Sequence, residues 1–284
     1  MRYILYNPLS NNGHNAGALE KLKERFNNEC KVIDVIGLDT KSFVSKLNKE
    51  DEIFILGGDG TVNHFVNDLD DKIPENKIYF FAGGTGNDFL NDIKNKEEGD
   101  LILINKYLVD LPIVTINGKK SYFLNGIGYG IDGYCCEEAD RQRAKNPNKK
   151  INYTNIAIKG LLYAYKKRLA TVTIDGVTKT FKNVWLAPTM KGRYFGGGMM
   201  IAPMQDRLNE DKTLTNVLFF SRSKILTLIR FPKIFEGKHV KYVKNISIVK
   251  GYHFKVAFNE PCALQIDGET VLNVKEYEVD VPGK

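Results

Sequence analysis

The chain has 284 residues, 43% of them hydrophobic, 26% charged and 11% aromatic, with 41 Lys+Arg against 34 Asp+Glu and a formal net charge of +7. That composition excludes an intrinsically disordered chain, and the length favours two cores over one. No window approaches the ~20 apolar residues of a membrane-spanning helix, and the start, MRYILYNPLS, has neither the apolar length nor the small-residue site of a secretory leader, so the expectation is a soluble or peripheral protein, basic enough to attract a phosphate-bearing partner.

Tyr3 to Tyr6 is a short apolar run ending in Asn7-Pro8, a strand entering a loop. Residues 16–26 have helical spacing, 31–37 read as a strand, and Thr40 is placed to cap a helix through KSFVSKL. The strand EIFIL then runs into Gly57-Gly58-Asp59-Gly60-Thr61 and a helix, and 77–89 repeats the scheme of strand, glycine turn and helix. Such alternation predicts a parallel sheet covered on both faces, with the turns after strands one, three and four meeting at one edge.

Past residue 110 the pattern changes. Hairpins are predicted around Asn117-Gly118 and Asp175-Gly176, and 216–220, 246–250, 254–258 and 277–281 read as short strands. The reading is an α/β domain over 1–109 and a mostly antiparallel domain over 110–284, with helices inserted near 130–169 and 223–237. Cys30, Cys135, Cys136 and Cys262 show no CxxC spacing and read as reduced cytosolic thiols.

Glycines cost more backbone entropy on folding than any other residue, so a cluster such as GGDGT implies that something approaches the main chain closely. Placed between a strand and a helix N-terminus it is suited to phosphate, with Asp59 acting through Mg²⁺ or a water on it; the plain alternative is a tight structural turn. GGTGND offers a second such turn, with Thr85 and Asn87 as hydrogen-bonding groups. In FGGGMMIAP, Gly197, Gly198 and Met199 would receive an apolar acceptor, or else form a β-bulge. Asp267-Gly268-Glu269 is by itself best read as a hairpin turn. The four histidines have no metal-ligand spacing, and His64 reads as a solvent-facing helix residue. Residues 141–168 carry nine Lys/Arg and no acid among interleaved apolar residues, and KILTLIRFPKIFEGK is a second basic amphipathic segment. Each fits an anionic membrane surface or, equally, a solvated helix face.

Taken in order, NPLSNNG, GGDGTVN, GGTGNDF, NGIGYGIDG, FGGGMMIAP and QIDGE resemble the bacterial diacylglycerol kinase family, lipid kinases whose catalytic domain also occurs in sphingosine and ceramide kinases. The resemblance spans essentially the whole chain. It implies a three-layer α/β nucleotide-binding domain of the NAD-kinase/phosphofructokinase type, a C-terminal antiparallel β-sandwich, and ATP with Mg²⁺ bound between them. Asn7, Pro8, Leu9, Ser10, Asn11, Thr40, Gly57, Gly58, Asp59, Gly60, Thr61, Val62 and Asn63 would surround ATP, together with Gly84, Thr85, Gly86, Asn87 and Asp88 of the second turn.

By the same resemblance, Asp267 would orient or deprotonate the acceptor hydroxyl, with Glu269 as a supporting or competing candidate, and Asp132 would join the Asp59 and Mg²⁺ network. A structural Mg²⁺ would take the Asp211 side chain and main-chain oxygens near Leu208 and Thr213. The chain departs from the family pattern at Asn11, Asn12, His64 and Leu90-Asn91. In 211–215, DKTLT lacks the glycine and second aspartate of the usual DGxLD. The implied activity is phosphorylation of a lipid hydroxyl, diacylglycerol to phosphatidic acid, by a cytoplasmic enzyme peripherally bound to an anionic membrane, with no nucleic-acid partner and with a homodimer allowed. The alternatives are a kinase of a soluble acceptor such as NAD, and an inactive lipid- or nucleotide-binding regulator.

Overall fold

A strand whose successive side chains are all buried needs cover on both faces, and residues 53–57 are all buried. The computed structural model describes residues 1–10, 15–70, 72–82, 88–94, 99–146 and 151–284 and divides into two units, Met1–Leu111 and Pro112–Lys284. The first unit runs β1 (Arg2–Tyr6), α1 (Ala16–Arg25), β2 (Lys31–Asp34), α2 (Thr40–Val44), β3 (Glu52–Gly57), α3 (Asp59–Leu69), β4 (Lys77–Ala82), α4 (Asp88–Ile93) and β5 (Leu101–Leu103). Its sheet has the order β2-β1-β3-β4-β5, parallel except for the antiparallel β5 edge.

Alternate residues of β3 serve the two faces. Phe54 and Leu56 join Ile4, Leu22, Phe26 and Phe81 in a cluster that includes α1, so the fully buried Ile53 and Ile55 face the other way. Asp39, not Thr40, caps α2: its backbone is extended and its carboxylate accepts the Ser42 N–H at 3.0 Å. The strand order reverses between β1 and β3, and a ligand crevice in such a sheet lies outside the carboxyl ends of the strands at that point.

The second unit runs β6 (Ile113–Ile116), β7 (Lys119–Tyr122), β8 (Gly126–Tyr129), α5 (Ile131–Lys145), α6 (Tyr153–Lys159), β9 (Arg168–Ile174), β10 (Val177–Leu186), β11 (Thr189–Met190), β12 (Tyr194–Phe195), β13 (Met199–Met200), β14 (Leu214–Phe220), α7 (Lys224–Arg230), β15 (Ile246–Gly251), β16 (His253–Ile266) and β17 (Glu269–Asp280). Ten strands form one antiparallel sheet that curls back on itself. The first half of β16 pairs with β9 and its last three residues with β8, with register shifts between 257 and 264. Bulges of this kind let one strand serve two layers.

Inside the curl lie Tyr129, Phe258 and Tyr277, with Tyr129 stacked on Phe258 at 4.1 Å. The buried phenols find acceptors, Tyr129 in the Val274 carbonyl at 2.7 Å and Tyr277 in the Ala187 carbonyl at 3.0 Å. Residues Trp185, Val217 and Phe219 point the other way, under α5, α6 and the segment that follows α7. All three predicted Asx-Gly turns have two successive positive φ angles, Asn117-Gly118, Asp175-Gly176 and Asp267-Gly268, as two-residue hairpins of this twist require.

His239 is fully buried beside Phe219, with Nε2 2.9 Å from the Ile201 carbonyl, and burial holds its pKa below the ordinary value. The unfolded chain takes up this proton once pH falls below about 6.5, before the folded chain does, so stability falls as pH drops from that value toward the lowered folded pKa. Thermal melts of the wild type and His239→Gln between pH 8 and about 5 are expected to show the wild-type Tm falling more steeply with acid.

Candidate active site

In the first unit a cluster of candidate residues forms where β1 and β3 end. Asn7 donates its N–H to the Leu56 carbonyl at 3.1 Å and its side-chain amide to Thr61 Oγ1 at 3.0 Å. Its Oδ1 accepts the Leu9 N–H at 3.0 Å, and Ser10 donates its hydroxyl to the Asn7 carbonyl at 2.9 Å. A Cβ on Gly57 would lie 2.3 Å from Thr61 Oγ1, so only glycine lets the hydroxyl sit over the strand end. α3 starts at Asp59 behind the extended Gly58 and directs its N-terminal N–H groups and positive dipole end toward the crevice. The Asp59 carboxylate accepts the Phe89 N–H at 3.0 Å, which ties this turn to the start of α4, where Asp88 is buried.

Thr40 and Val62, expected among the nucleotide contacts, have side chains engaged within the fold. Thr40 is buried and its hydroxyl donates to Asp68 at 2.7 Å, nine residues and ~13 Å along α3 from Asp59. That hydroxyl fastens α2 to α3. Val62 is fully buried in the core, and Leu9 is exposed. His64 is exposed on α3, as its spacing predicted. Asn11, Gly84, Thr85, Gly86 and Asn87 lie outside the described residues.

The second unit brings Asp132 near Gly128, Gln265 and Gly196, with Asp267 and Glu269 at the hairpin tip that follows Gln265. Asp132 is buried in the first turn of α5. Its Oδ2 lies 1.7 Å from where a Cβ on Gly128 would stand, the Gln265 amide nitrogen lies 2.7 Å from the same point, and Asp132 Oδ1 lies 3.6 Å from a Cβ on Gly196. The missing Gly128 side chain is therefore what lets helix start and hairpin meet. Gly196, Gly197 and Gly198 all have positive φ and join β12 to β13, and nothing stands within 4 Å of a Cβ on Gly197 or Gly198. Met199, expected to receive an acceptor, is instead packed in the core under α5 and α6.

Asp267 occupies the first turn position between β16 and β17. Its carboxylate accepts three main-chain N–H groups, from Leu124 at 2.5 Å, Asn125 at 2.8 Å and Gly126 at 3.0 Å, and its own N–H donates to the Gly126 carbonyl at 3.2 Å. Glu269 begins β17 and is exposed. Sequence reading did not find the partners of this arrangement. Buried Arg207 donates to the Leu124 carbonyl at 2.6 Å and to Asn125 Oδ1 at 2.8 Å, and Gln265 Oε1 accepts the Gly268 N–H at 2.5 Å.

Residues 2–109 match the diacylglycerol kinase catalytic domain, and residues 125–283 match the YegS C-terminal NAD kinase beta sandwich-like domain. The chain belongs to the bacterial diacylglycerol kinase family of lipid kinases. It is 28% identical over 256 residues to a diacylglycerol kinase of Mycobacterium tuberculosis, covering 84% of this chain and 79% of that one. A candidate lipid kinase of Staphylococcus aureus is 26% identical over 251 residues, covering 86% and 77%. A Bacillus anthracis crystal structure titled a diacylglycerol kinase superposes with a TM-score of 0.66 at 21% identity, covering 98% of this chain and 93% of that one, which supports the fold.

The family resemblance also implies a structural Mg²⁺, and the loop concerned closes in this lipid kinase on its own hydrogen bonds. The Thr213 carbonyl accepts side-chain amide hydrogens from Gln205 and Asn209, both at 2.9 Å, which uses both its lone pairs. Asp211 Oδ1 accepts the Thr213 N–H at 3.1 Å and hydroxyl at 2.9 Å, and these bonds hold its carboxyl below the usual carboxylate range. Thr215, where the family motif has its second aspartate, donates its hydroxyl to Gln205 Oε1 at 2.5 Å. In this arrangement the Thr213 carbonyl and Asp211 Oδ1 each already accept two hydrogen bonds, which leaves neither a lone pair for an ion. Chelation with EDTA is expected to leave the Tm of the nucleotide-free protein unchanged, whereas Asn209→Ala, which removes two bonds to Thr213, lowers stability by about 1–3 kcal/mol. A Tm that falls with EDTA and returns with Mg²⁺ would restore the metal assignment.

Proposed function

We propose that this lipid kinase transfers the γ-phosphate of ATP to the primary hydroxyl of a membrane lipid, most simply diacylglycerol, giving phosphatidic acid and ADP. The observation that carries the reading is the match of residues 2–109 to the diacylglycerol kinase catalytic domain, the stretch that holds the Asn7, Gly57 and Thr61 turn. The name of the Mycobacterium tuberculosis relative supports the same acceptor.

In this reading the nucleotide phosphates lie on the Gly57–Thr61 main chain and the N-terminus of α3. Asp59, a carboxylate at the start of α3 beside that turn, is the donor suited to the Mg²⁺ that accompanies ATP. When bound, the ion neutralises charge on the phosphates. An alcohol has little anion at neutral pH, so its proton must pass to a base as the new O–P bond forms and the bond to the ADP oxygen breaks. Two carboxylates were candidates. Three main-chain donors already occupy Asp267, which suits it to position the hairpin. We assign proton acceptance to Glu269, on the exposed first residue of β17.

Label transfer from [γ-³²P]ATP to diacylglycerol, with ceramide, sphingosine and NAD as competing acceptors, tests the reaction. Diacylglycerol is expected to take the label, and labelled NAD would replace the lipid reading with a soluble acceptor. Glu269→Gln is expected to lower kcat by about 10²–10⁴-fold with Tm unchanged. Asp267→Asn, which turns an acceptor oxygen into a donor facing main-chain N–H groups, is expected to cost about 1–3 kcal/mol of stability. If Asp267→Asn kept wild-type stability and lost turnover, the two roles would be exchanged.

A further inference from the structure

Burying a guanidinium is costly unless its N–H groups and its charge find acceptors. Arg207, 4% exposed, is the only arginine buried to this degree among the described residues. It sits midway along a loop that closes on itself. The Gln205 N–H donates to the Ala202 carbonyl at 2.9 Å, the Leu208 N–H to Asp206 Oδ1 at 3.0 Å and the Asn209 N–H to the Asp206 carbonyl at 3.2 Å. These bonds fix the base of the Arg207 side chain, whose two terminal nitrogens reach the Leu124 carbonyl and Asn125 Oδ1.

Every main-chain polar group of residues 124–126 has a partner. The three N–H groups donate to the Asp267 carboxylate. The Leu124 carbonyl accepts from Arg207, the Asn125 carbonyl accepts the N–H groups of Lys191 and Gly192, both at 2.9 Å, and the Gly126 carbonyl accepts the Asp267 N–H. The Leu124–Asn125 peptide therefore lies between opposite charges, its carbonyl on the guanidinium and its N–H on the carboxylate. Charges placed at the two ends of one peptide polarise it in the same sense, so each bond strengthens the other. Arginine suits this place because its charge is permanent and its planar fork fixes direction as well as distance. Two elements hang on the segment so held: the hairpin tip that ends in Glu269, through Asp267, and the chain from Lys191 into the glycine turn 196–198, through the Asn125 carbonyl.

We propose that Arg207 is a positioning residue for phosphoryl transfer: acting through the Leu124–Asn125 peptide on Asp267, its charged fork fixes the hairpin tip, and with it Glu269, in the geometry the reaction needs. The inference rests on the lipid-kinase reading and on Glu269 as its proton acceptor, and one arm of the test needs no activity. Arg207→Ala in the full chain leaves a gap of guanidinium shape. It is expected to lower kcat by about 100-fold, as a displaced reacting group does, with KM for ATP within about twofold of the wild type. Arg207→Lys, which keeps the charge and loses the fork, is expected to fall between the two. Guanidinium chloride at about 50 mM, far below denaturing concentrations, is expected to raise kcat of Arg207→Ala at least about tenfold, whereas equimolar urea, with planar N–H groups and no charge, does not.

Native-state hydrogen exchange supplies the arm without activity. In Arg207→Ala the amides of Leu124, Asn125 and Gly126 are expected to exchange at least about tenfold faster and to slow again with guanidinium, while those of β9 and β10 keep their wild-type rates. Wild-type kcat in Arg207→Ala would overturn the proposal, as would equal restoration by urea. Exchange that quickens evenly across the second unit would also overturn it, because Arg207 would then serve only overall stability. If Arg207→Ala does not fold, Arg207→Lys carries the same measurements, and wild-type kcat and exchange in that variant would overturn it too. A wild type that transfers no phosphate, with the exchange pattern as expected, would remove the kinase reading and leave the fixing of the hairpin tip by Arg207 standing.

Discussion

One carboxylate organises the candidate cluster of the second unit. Asp267 takes three consecutive main-chain N–H groups from Leu124 to Gly126, and hydrogen bonds to a charged acceptor are about twice as strong as neutral ones. The hairpin tip is thereby fixed to the start of β8, with Gln265 bracing Gly268 from the same strand end. Arg207 holds the other side of the contacted segment through the Leu124 carbonyl and Asn125 Oδ1. Glu269 stands two residues past the clasp, at the first position of β17, so its backbone inherits that fixed geometry. A side chain that serves as a clasp and one that serves as a proton acceptor need opposite surroundings, saturated donors in one case and access in the other. Asp267 is held by three main-chain donors and Glu269 is exposed, the contrast on which the proposed assignment of the base rests.

The two units use the same local device at a strand-to-helix junction. Gly57 precedes Thr61 by four residues, Gly128 precedes Asp132 by four, and in each pair a Cβ on the glycine would collide with the later side chain. Dropping the Cβ lets the first turn of a helix fold back over the end of the strand that feeds it. In the first unit this puts a hydroxyl and an amide, Thr61 and Asn7, at the carboxyl edge of the parallel sheet. In the second it puts a carboxylate, Asp132, beside the glycine turn at Gly196 and the Gln265 amide.

Local features of both clusters could be read from sequence because glycine clusters, Asx-Gly turns and helix starts are short-range signals. Their partners could not. The Asp267 contact to Leu124 spans 143 residues, and nothing in DGE specifies it. Adjacent Asp39 and Thr40 are both good caps, and the extended backbone of Asp39 decides between them. The strand 254–258 was visible, but Pro261 and the polar residues around it hide the fact that β16 continues to Ile266; the register shifts between 257 and 264 are what accommodate the proline. Met199 beside three glycines looked like an acceptor contact, and only the packing of α5 and α6 shows that its side chain is core.

The loop over 205–213 shows how a departure from a family motif can be absorbed. A divalent ion orders an oxygen-lined loop by pulling carbonyls and a carboxylate toward one centre. Here the Gln205 and Asn209 amides donate into the Thr213 carbonyl, and the Thr213 N–H and hydroxyl donate into Asp211. The same groups converge, held by hydrogens fixed to the chain instead of by an exchangeable ion. Lys250 and Lys284 add positive charge near Asp211, which further disfavours a cation there. A loop ordered in this way owes its stability to hydrogen bonds within the chain.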